Sequence, residues 1–275
     1  MNTDTHSARG TCLANRTPSS LAFLFGFSVI LAIIMLKSML AKIGIGLVAA
    51  VPISAMADDG PYREHSTNLI YQLLFCDRLE LFKNNYSGEV VYPWSVLFSG
   101  KAGPGELAKI ANGQEQESRV RILACNALRA GGQPVPKKVY FGTIIEVGLE
   151  GGLDTLAVFA DGRARYINQS GKIIVVEGSP NPFEAEIVKV IDTSKPIVAA
   201  IGPWEKDRLP APKQGDIRMT FLVSDGLYFG QGPMRVMQHD AKAQPLIWAA
   251  TNLLLKLVQQ TPDRPGGASA TQPIR

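Results

Sequence analysis

Cysteine and histidine are scarce in this chain, which has three of each among its 275 residues. The cysteines are Cys12, Cys76 and Cys125, and no two of them are spaced as in a CxxC pair. Zinc sites in proteins are built from thiolate and imidazole ligands at short, regular spacings. The sequence therefore predicts no metal site of this kind, and it indicates no cofactor.

The signatures of several common enzyme classes are also missing. The glycine-rich stretch at 100–105 (GKAGPG) lacks the Gly-Lys-Ser/Thr ending of a phosphate-binding loop. The stretch at 226–232 (GLYFGQG) is not followed by a helix start of the dinucleotide-binding type. The sequence contains neither GxSxG nor HExxH. These absences favour a non-catalytic protein.

The main part of the chain has no excess of basic charge. The formal net charge is +4, but residues 1–57 contain four basic residues and one acidic residue. The remainder has 24 basic and 23 acidic residues. Nucleic-acid-binding domains carry a basic patch or stripe, so we expect no nucleic-acid partner.

Two long apolar runs lie in residues 1–57, which we interpret as a leader. The first, at 21–36, has no charged residue, and the second, at 43–57, follows Lys37 and Lys42. A basic start, an apolar stretch and a small-x-small site ending at Ala57 are typical of an export signal. The sequence thus predicts a periplasmic or exported protein, cleaved near Ala57.

Other interpretations of the leader remain open. Met35 or Met39 is a natural start for such a signal, which would make the first 34 residues an upstream extension. Alternatively, the run at 21–36 is retained as an inner-membrane anchor, although it is slightly shorter than the roughly 20 residues that a bilayer needs. A third interpretation is a cytoplasmic protein with a spurious leader.

Residues 139–177 predict an antiparallel β-meander. Branched and aromatic residues at 140–149 are followed by a Gly-Gly turn and an apolar strand at 153–160. Asp161-Gly162 is a strong hairpin signal, because both central positions of that turn need positive φ. The strand at 163–167 alternates, and an apolar strand at 172–177 ends the series of three or four strands.

The remaining patterns surround this meander with helices. Apolar residues recur at helical spacing from Ser66 or Thr67 to 83, and again over 106–130, 182–201 and 245–260, while 217–223 and 227–229 predict a second hairpin. We therefore predict an α+β fold, in which an antiparallel β-meander sheet of about five strands is covered by helices, mainly on one face. Its element order is similar to that of roadblock and profilin-like folds, an analogy of topology that implies no function.

Three domain assignments follow from these patterns. Residues 1–57 form the leader, residues 58–262 form a single α+β domain, and residues 263–275, rich in Gly and Pro, form a disordered tail.

Several stretches resemble a family of uncharacterised bacterial proteins. They are GLDTLA at 152–157, DGRARYINQSGK at 161–172, LLFCD at 73–77 and GLYFG at 226–230. The resemblance covers about residues 68–258 and implies a bacterial origin and a single folded unit. It implies no activity and assigns no role to any residue.

Five residues of the meander are candidates for a ligand site: Asp154, Asp161, Arg163, Arg165 and Tyr166. Two arginines on one face of a strand are able to grip a carboxylate or a phosphate. The alternative is a purely structural role. Both arginines would then form the solvated side of a half-buried strand, and both acids would stabilise their turns.

Cys76 and Cys125 pose a separate question. In an exported protein, a disulfide between the two predicted helices is permitted. Both residues lie among apolar neighbours, where a free cysteine behaves as a small hydrophobe. A reactive thiol would need a basic partner, and none is evident from the sequence.

The function predicted from these patterns is a non-catalytic, envelope-associated binding or scaffold module for a protein partner or a small ligand. The alternative is an enzyme of unknown class with a site near the 154–166 hairpin. The leader would also allow contact with the membrane.

Overall fold

A computed structural model describes residues 60–260 of the chain. The leader with its proposed signal, cleavage site and anchor, and the predicted disordered tail, lie outside these residues. Within residues 60–260, no helix combines the length and apolarity needed to cross a membrane.

The described chain begins with a group of helices and continues into the sheet. The elements in order are α1 (His65–Leu74), α2 (Leu79–Asn85), α3 (Trp94–Phe98), α4 (Pro104–Asn112), α5 (Ser118–Ala130), β1 (Tyr140–Leu149), β2 (Gly152–Phe159), β3 (Ala164–Ile167), β4 (Ile173–Val176), α6 (Glu184–Ala200), β5 (Asp216–Val223), β6 (Gly226–Pro233), α7 (Met234–Met237) and α8 (Ala243–Gln260).

The strands form one antiparallel sheet in the order β4-β3-β2-β1-β5-β6. The α+β prediction is confirmed, with six strands in place of about five. Consecutive hairpins place β1 to β4 side by side, while β5 returns after α6 to pair with the free side of β1. The two ends of the sheet are therefore β4 and β6.

Helices cover both faces of the sheet. We call the face packed against α1–α5 the front face and the face packed against α6 and α8 the back face. This differs from the expectation of helices mainly on one face. The reason lies in the central strands, where residues 141–146 of β1 are buried without interruption, so both faces need an apolar cover.

Side chains alternate along β3 as the sequence predicts. Ile167 lies in the front core, whereas Ala164 and Tyr166 lie in the back core. Strand geometry places Arg163 and Arg165 on the same side as Ile167, the front. The two arginines and Tyr166 therefore lie on opposite faces.

The first predicted helix is broken in the structure. Cys76 has a φ of 53° and ends the helical region that begins with α1, so α2 starts afresh at Leu79. Cys76 is fully buried, and its thiol group lies 3.6 Å from the carbonyl oxygens of Leu73 and Leu74. Sequence periodicity continues across this point and does not reveal the break. The helical stretch predicted over 106–130 is also divided, since α4 ends at Asn112 and α5 begins at Ser118.

Residues 202–215 form a strap that connects α6 to β5. Pro212 is buried, and Ala211 packs against the front core. The guanidinium group of Arg218 donates hydrogen bonds to the carbonyl oxygens of Leu209 (3.1 Å) and Pro210 (2.8 Å). The strap is thus held against the sheet by a side chain of β5, the strand that follows it.

Candidate functional site

The front-face arginines of the hairpin are held in ion pairs. Arg163 contacts Glu117 (3.1 Å), Asp161 (3.1 Å) and Glu177 (3.3 Å). Arg165 contacts Glu177 at 2.5 Å and donates to the carbonyl oxygens of Ala164 and Val176. Because three carboxylates already surround these guanidinium groups, an incoming anion would compete with them.

Asp161 has a structural role at the start of α5. One of its carboxylate oxygens accepts the backbone N–H of Ser118 at 2.8 Å, and the other accepts the backbone N–H of Arg163 at 3.2 Å. A carboxylate at a helix N-terminus satisfies an unpaired donor and favours the helix dipole. This contact ties the β2–β3 turn to the helical layer.

Asp154 and Tyr166 form a separate pair on the back face. The hydroxyl of Tyr166 donates to Asp154 at 2.9 Å, and the backbone N–H of Gln169 donates to the same carboxylate at 2.7 Å. Burial, reinforced by the neighbouring carboxylate, raises the pKa of Tyr166 well above its usual value. The hydroxyl therefore keeps its proton at neutral pH.

The structure thus separates the five predicted site residues into two groups on opposite faces. Each group makes hydrogen bonds or ion pairs within the protein, and the two groups do not converge on one cavity. The ligand site stays a prediction, and Asp161 serves its turn as the alternative interpretation expects. The charged residues of the hairpin pair with groups of the protein itself. They hold β2, β3 and α5 together.

The two cysteines are buried free thiols in the structure. Their side chains are 0% and 1% exposed. Burial raises the pKa of Cys76 to about 12 and that of Cys125 to about 11. A thiol that keeps its proton is a poor nucleophile, so neither residue has the character of a catalytic cysteine. The disulfide stays a prediction.

We expect both thiols to resist alkylation by iodoacetamide at pH 8 in the folded protein and to react fully in denaturant, because only the thiolate attacks. Mass spectrometry of the peptides that contain Cys76 and Cys125 measures this. A disulfide would leave both peptides unmodified even in denaturant until a reductant is added. Rapid modification of the folded protein would contradict the burial.

The same shifts predict loss of stability in alkali. The folded state holds these protons more tightly than the unfolded chain, in which a cysteine has a pKa of about 8.5. The stabilisation is therefore complete below about pH 8 and decreases as the pH rises through 9 towards 11. Urea unfolding at pH 7.5, 9 and 10 would show a falling midpoint, and a constant midpoint would contradict this prediction.

A buried ion pair joins β1 to β5 on the front face. Arg218 donates to Glu146 through its Nε (2.8 Å) and its Nη2 (3.2 Å), and the Tyr71 hydroxyl from α1 donates to the same carboxylate at 2.8 Å. Glu146 is fully buried, and Arg218 is 4% exposed. The sequence patterns did not point to either residue, although Glu146 is the one charged residue of β1 and Arg218 follows Asp216 in β5.

A second arginine ties the strap to the helical layer. Arg208 pairs with Asp77, hydrogen-bonds Gln72 and lies over the ring of Phe75 at 3.9 Å. A cavity of about 20 Å³ lies beside Arg208. It is bounded by Arg208, Arg218, Trp204 and Phe229. That volume holds about one water molecule, which is too small for a ligand. The contacts of Arg208 therefore serve to fix the strap against the helices.

A wider groove runs along the outer surface of α6 and α8. Its volume is about 540 Å³, and Glu186 and Lys256 form an ion pair across it. The groove is open to solvent, and the rest of its lining is Lys189, two amide side chains, two alanines and a leucine. It gives no indication of a particular ligand.

The two edges of the sheet differ sharply in their protection. At the β6 edge, the backbone N–H of Trp204 donates to the carbonyl of Leu227 at 2.7 Å, and the rings of Trp204 and Phe229 pack at 4.9 Å. Helix α7 follows directly and packs against β6, whose last residue is Pro233. Such cover is how natural proteins blunt an edge.

The β4 edge has no such cover among the described residues. Within residues 60–260, no strand or isolated bridge lies beyond β4. Its sequence, Ile-Ile-Val-Val, has no proline and no charge. Val175 is 52% exposed, and Ile173 and Ile174 are half-buried. An apolar edge without these protective features is a template for another strand.

The hydrogen-bond pattern identifies which backbone groups face outward. The N–H of Asn168 donates to the carbonyl of Lys172 at 3.0 Å, which makes these opposite residues a hydrogen-bonded pair. In an antiparallel ladder such pairs alternate, so Ile174 and Val176 bond to β3. Ile173 and Val175 therefore direct their N–H and C=O groups away from the sheet. We call this row the open edge.

Among the residues that the structure describes, no group of three or more His, Cys, Asp and Glu side chains is placed to hold a metal ion. Comparisons with protein-family models, with curated proteins and with solved structures find no match for this chain.

Proposed function

We propose that the protein is a non-catalytic binding module that holds an extended segment of a partner protein along the open edge of β4. The observation that carries the proposal is the contrast between the two sheet edges. One edge is closed by Trp204 and α7, and the other presents, within residues 60–260, unpaired backbone groups on an apolar strand. Strand addition at an exposed edge is a common mode of peptide recognition.

The energetics favour a weak but specific complex. The outward groups of Ile173 and Val175 supply two donors and two acceptors, and each hydrogen bond contributes about 0.5–1.5 kcal/mol net. Covering the half-exposed Val175 adds apolar burial at about 25 cal/mol per Å². Association has its own entropic cost, so the segment alone binds weakly and further contacts set the final affinity.

The hairpin provides the rigid support that this mode of binding needs. Arg165 bridges the carbonyls of Ala164 and Val176, and Asp161 anchors the adjacent turn to α5. A pre-ordered strand loses little conformational entropy when a partner adds to it. In this proposal Arg165 and Asp161, two of the predicted ligand-site residues, hold the open edge in place.

We further propose that this module works in the bacterial envelope, after export and cleavage near Ala57 or while held by the 21–36 segment. The proposal is supported by the order of basic, apolar and small residues in the leader. N-terminal sequencing of the mature protein tests it. A mature chain that starts near Asp58 fits cleavage, and one that retains residues 21–36 fits an anchor.

Val175→Pro tests the role of the open edge. Proline removes the N–H of residue 175, which bonds to no other strand in the described part of the chain. Edge strands tolerate proline where the N–H faces outward. We expect the variant to fold with a melting temperature within a few degrees of wild type. From a displayed library of linear peptides, the wild-type protein should select extended binders that the variant no longer retains.

Ile174→Pro is the matched control. Its N–H bonds to β3, so this change breaks the ladder and should lower the free energy of unfolding by about 1–3 kcal/mol. If Val175→Pro is the more destabilising change, the assignment of the outward row is wrong. If the library yields no binder, or yields binders that Val175→Pro retains, the proposed function is contradicted.

A further inference from the structure

We infer that the partner segment runs antiparallel to β4, with a basic residue at its N-terminal end, apolar residues in the middle and an acidic residue at its C-terminal end. The inference rests on the proposed function, because it specifies what the open edge recognises. Lys172 and Glu177 flank the four apolar residues of β4. Their charges distinguish a partner segment with this charge order from one with the reverse order.

The direction follows from the sheet. All of its pairings are antiparallel, and antiparallel pairing is slightly more stable per residue than parallel pairing. An added strand that continues this pattern places its N-terminal end beside Glu177 and its C-terminal end beside Lys172. Its central residues lie opposite Ile173, Ile174 and Val175.

The charge order follows from exposure. The side chain of Glu177 is 60% exposed, whereas the two arginines with which it pairs, Arg163 and Arg165, are 23% and 12% exposed. Glu177 is therefore the charge that a new strand meets at this end, and a partner acid there would be repelled. Lys172 is exposed at the other end of the strand, where an acidic partner residue is favoured. Opposite charges directly across a strand pair stabilise it, and like charges destabilise it.

The apolar centre follows from the side chains of β4. Val175 projects on the front face beside Arg165, and Ile174 packs partly against the back core. A partner residue opposite Val175 would cover the most exposed apolar side chain of the strand. Branched apolar residues make favourable cross-strand pairs at such positions.

A second copy of this chain does not meet these requirements. The segment Lys172–Glu177 itself has a basic residue, an apolar centre and an acidic residue in the required order. The same segment of a second copy is therefore a candidate for the partner strand. Matching Lys172 of one copy with Glu177 of the other places the outward-bonding Ile173 opposite the inward-bonding Val176. Directly opposed antiparallel residues must both bond across the pair or both not. A shift by one residue restores the bonds and loses both charge pairs.

Two peptides of equal composition test the inference on the full-length chain. The first is Arg-Thr-Val-Val-Val-Glu and the second is Glu-Thr-Val-Val-Val-Arg, both acetylated and amidated. We expect the first to bind about fivefold more tightly by titration, as two exposed charge pairs would give. In Glu177→Gln the preference should fall to about twofold, because one of the two charges is removed.

The outcomes separate this inference from the proposed function. If neither the wild-type protein nor its Val175→Pro variant binds either peptide, the proposed function itself is contradicted. Equal binding of the two peptides contradicts only the charge order, and tighter binding of the second contradicts the antiparallel direction. Sedimentation of the chain as a dimer that Val175→Pro dissociates would overturn the assignment to a different protein in favour of a second copy.

Discussion

Glu146→Ala is expected to lower the free energy of unfolding by about 3–5 kcal/mol, the typical loss when one member of a buried ion pair is removed. The carboxylate is fully buried and accepts two hydrogen bonds from Arg218 and one from Tyr71. Without it, the guanidinium group remains buried with no counter-charge. Urea unfolding followed by circular dichroism measures the loss.

The double variant Glu146→Leu with Arg218→Met is the control for this pair. Replacing both members of a buried ion pair by apolar side chains is often close to neutral, so we expect most of the lost stability to return. Some loss should persist, since Arg218 also bonds to the strap carbonyls of Leu209 and Pro210. A single variant that loses less than about 1 kcal/mol would contradict the role assigned to the pair.

Gly148→Ala is expected to lower the free energy of unfolding by about 3 kcal/mol, at the upper end of the cost of overpacking. A Cβ atom at this position of β1 would lie 2.1 Å from the carbonyl oxygen of Lys213 and 2.7 Å from that of Pro212. Both atoms belong to the backbone of the strap and cannot rotate away. The strap must therefore move, and its contacts with Arg218 are strained or lost.

Gly105→Ala is the matched control for this substitution. Gly105 lies near the start of α4, and a Cβ atom there meets nothing within 4 Å. Alanine is the better helix former by about 1 kcal/mol, so this variant should be neutral or slightly more stable. Equal losses in the two variants would show that the Gly148 site is not sterically closed by the strap.

The meander was predictable because its signals are local. Alternating residues fix the faces of β3, and the Asp161-Gly162 turn fixes the hairpin. The apolar stripes of α6 and α8 were also visible, but the face of the sheet on which they pack depends on how β5 crosses back to β1. That pairing joins residues as far apart as Tyr140 and Val223, and no local pattern encodes it.

The same limit explains what was missed in the site. The sequence shows Arg163 and Arg165 on one side of a strand, but not that Glu117 and Glu177 approach them from elsewhere in the chain. Lys172 to Glu177 was visible as an apolar strand. Its position at the end of the sheet became evident only from the strand order. Four apolar residues without proline after a meander are the signal that points to such an edge.

Amide hydrogen exchange of residues 172–177 tests the open edge most directly. In the free protein we expect the amides of Ile174 and Val176 to be protected and those of Ile173 and Val175 to exchange quickly. Addition of Arg-Thr-Val-Val-Val-Glu should then slow exchange at Ile173 and Val175. Protection of all four amides in the free protein, or peptide binding that leaves Ile173 and Val175 unchanged, would contradict the account.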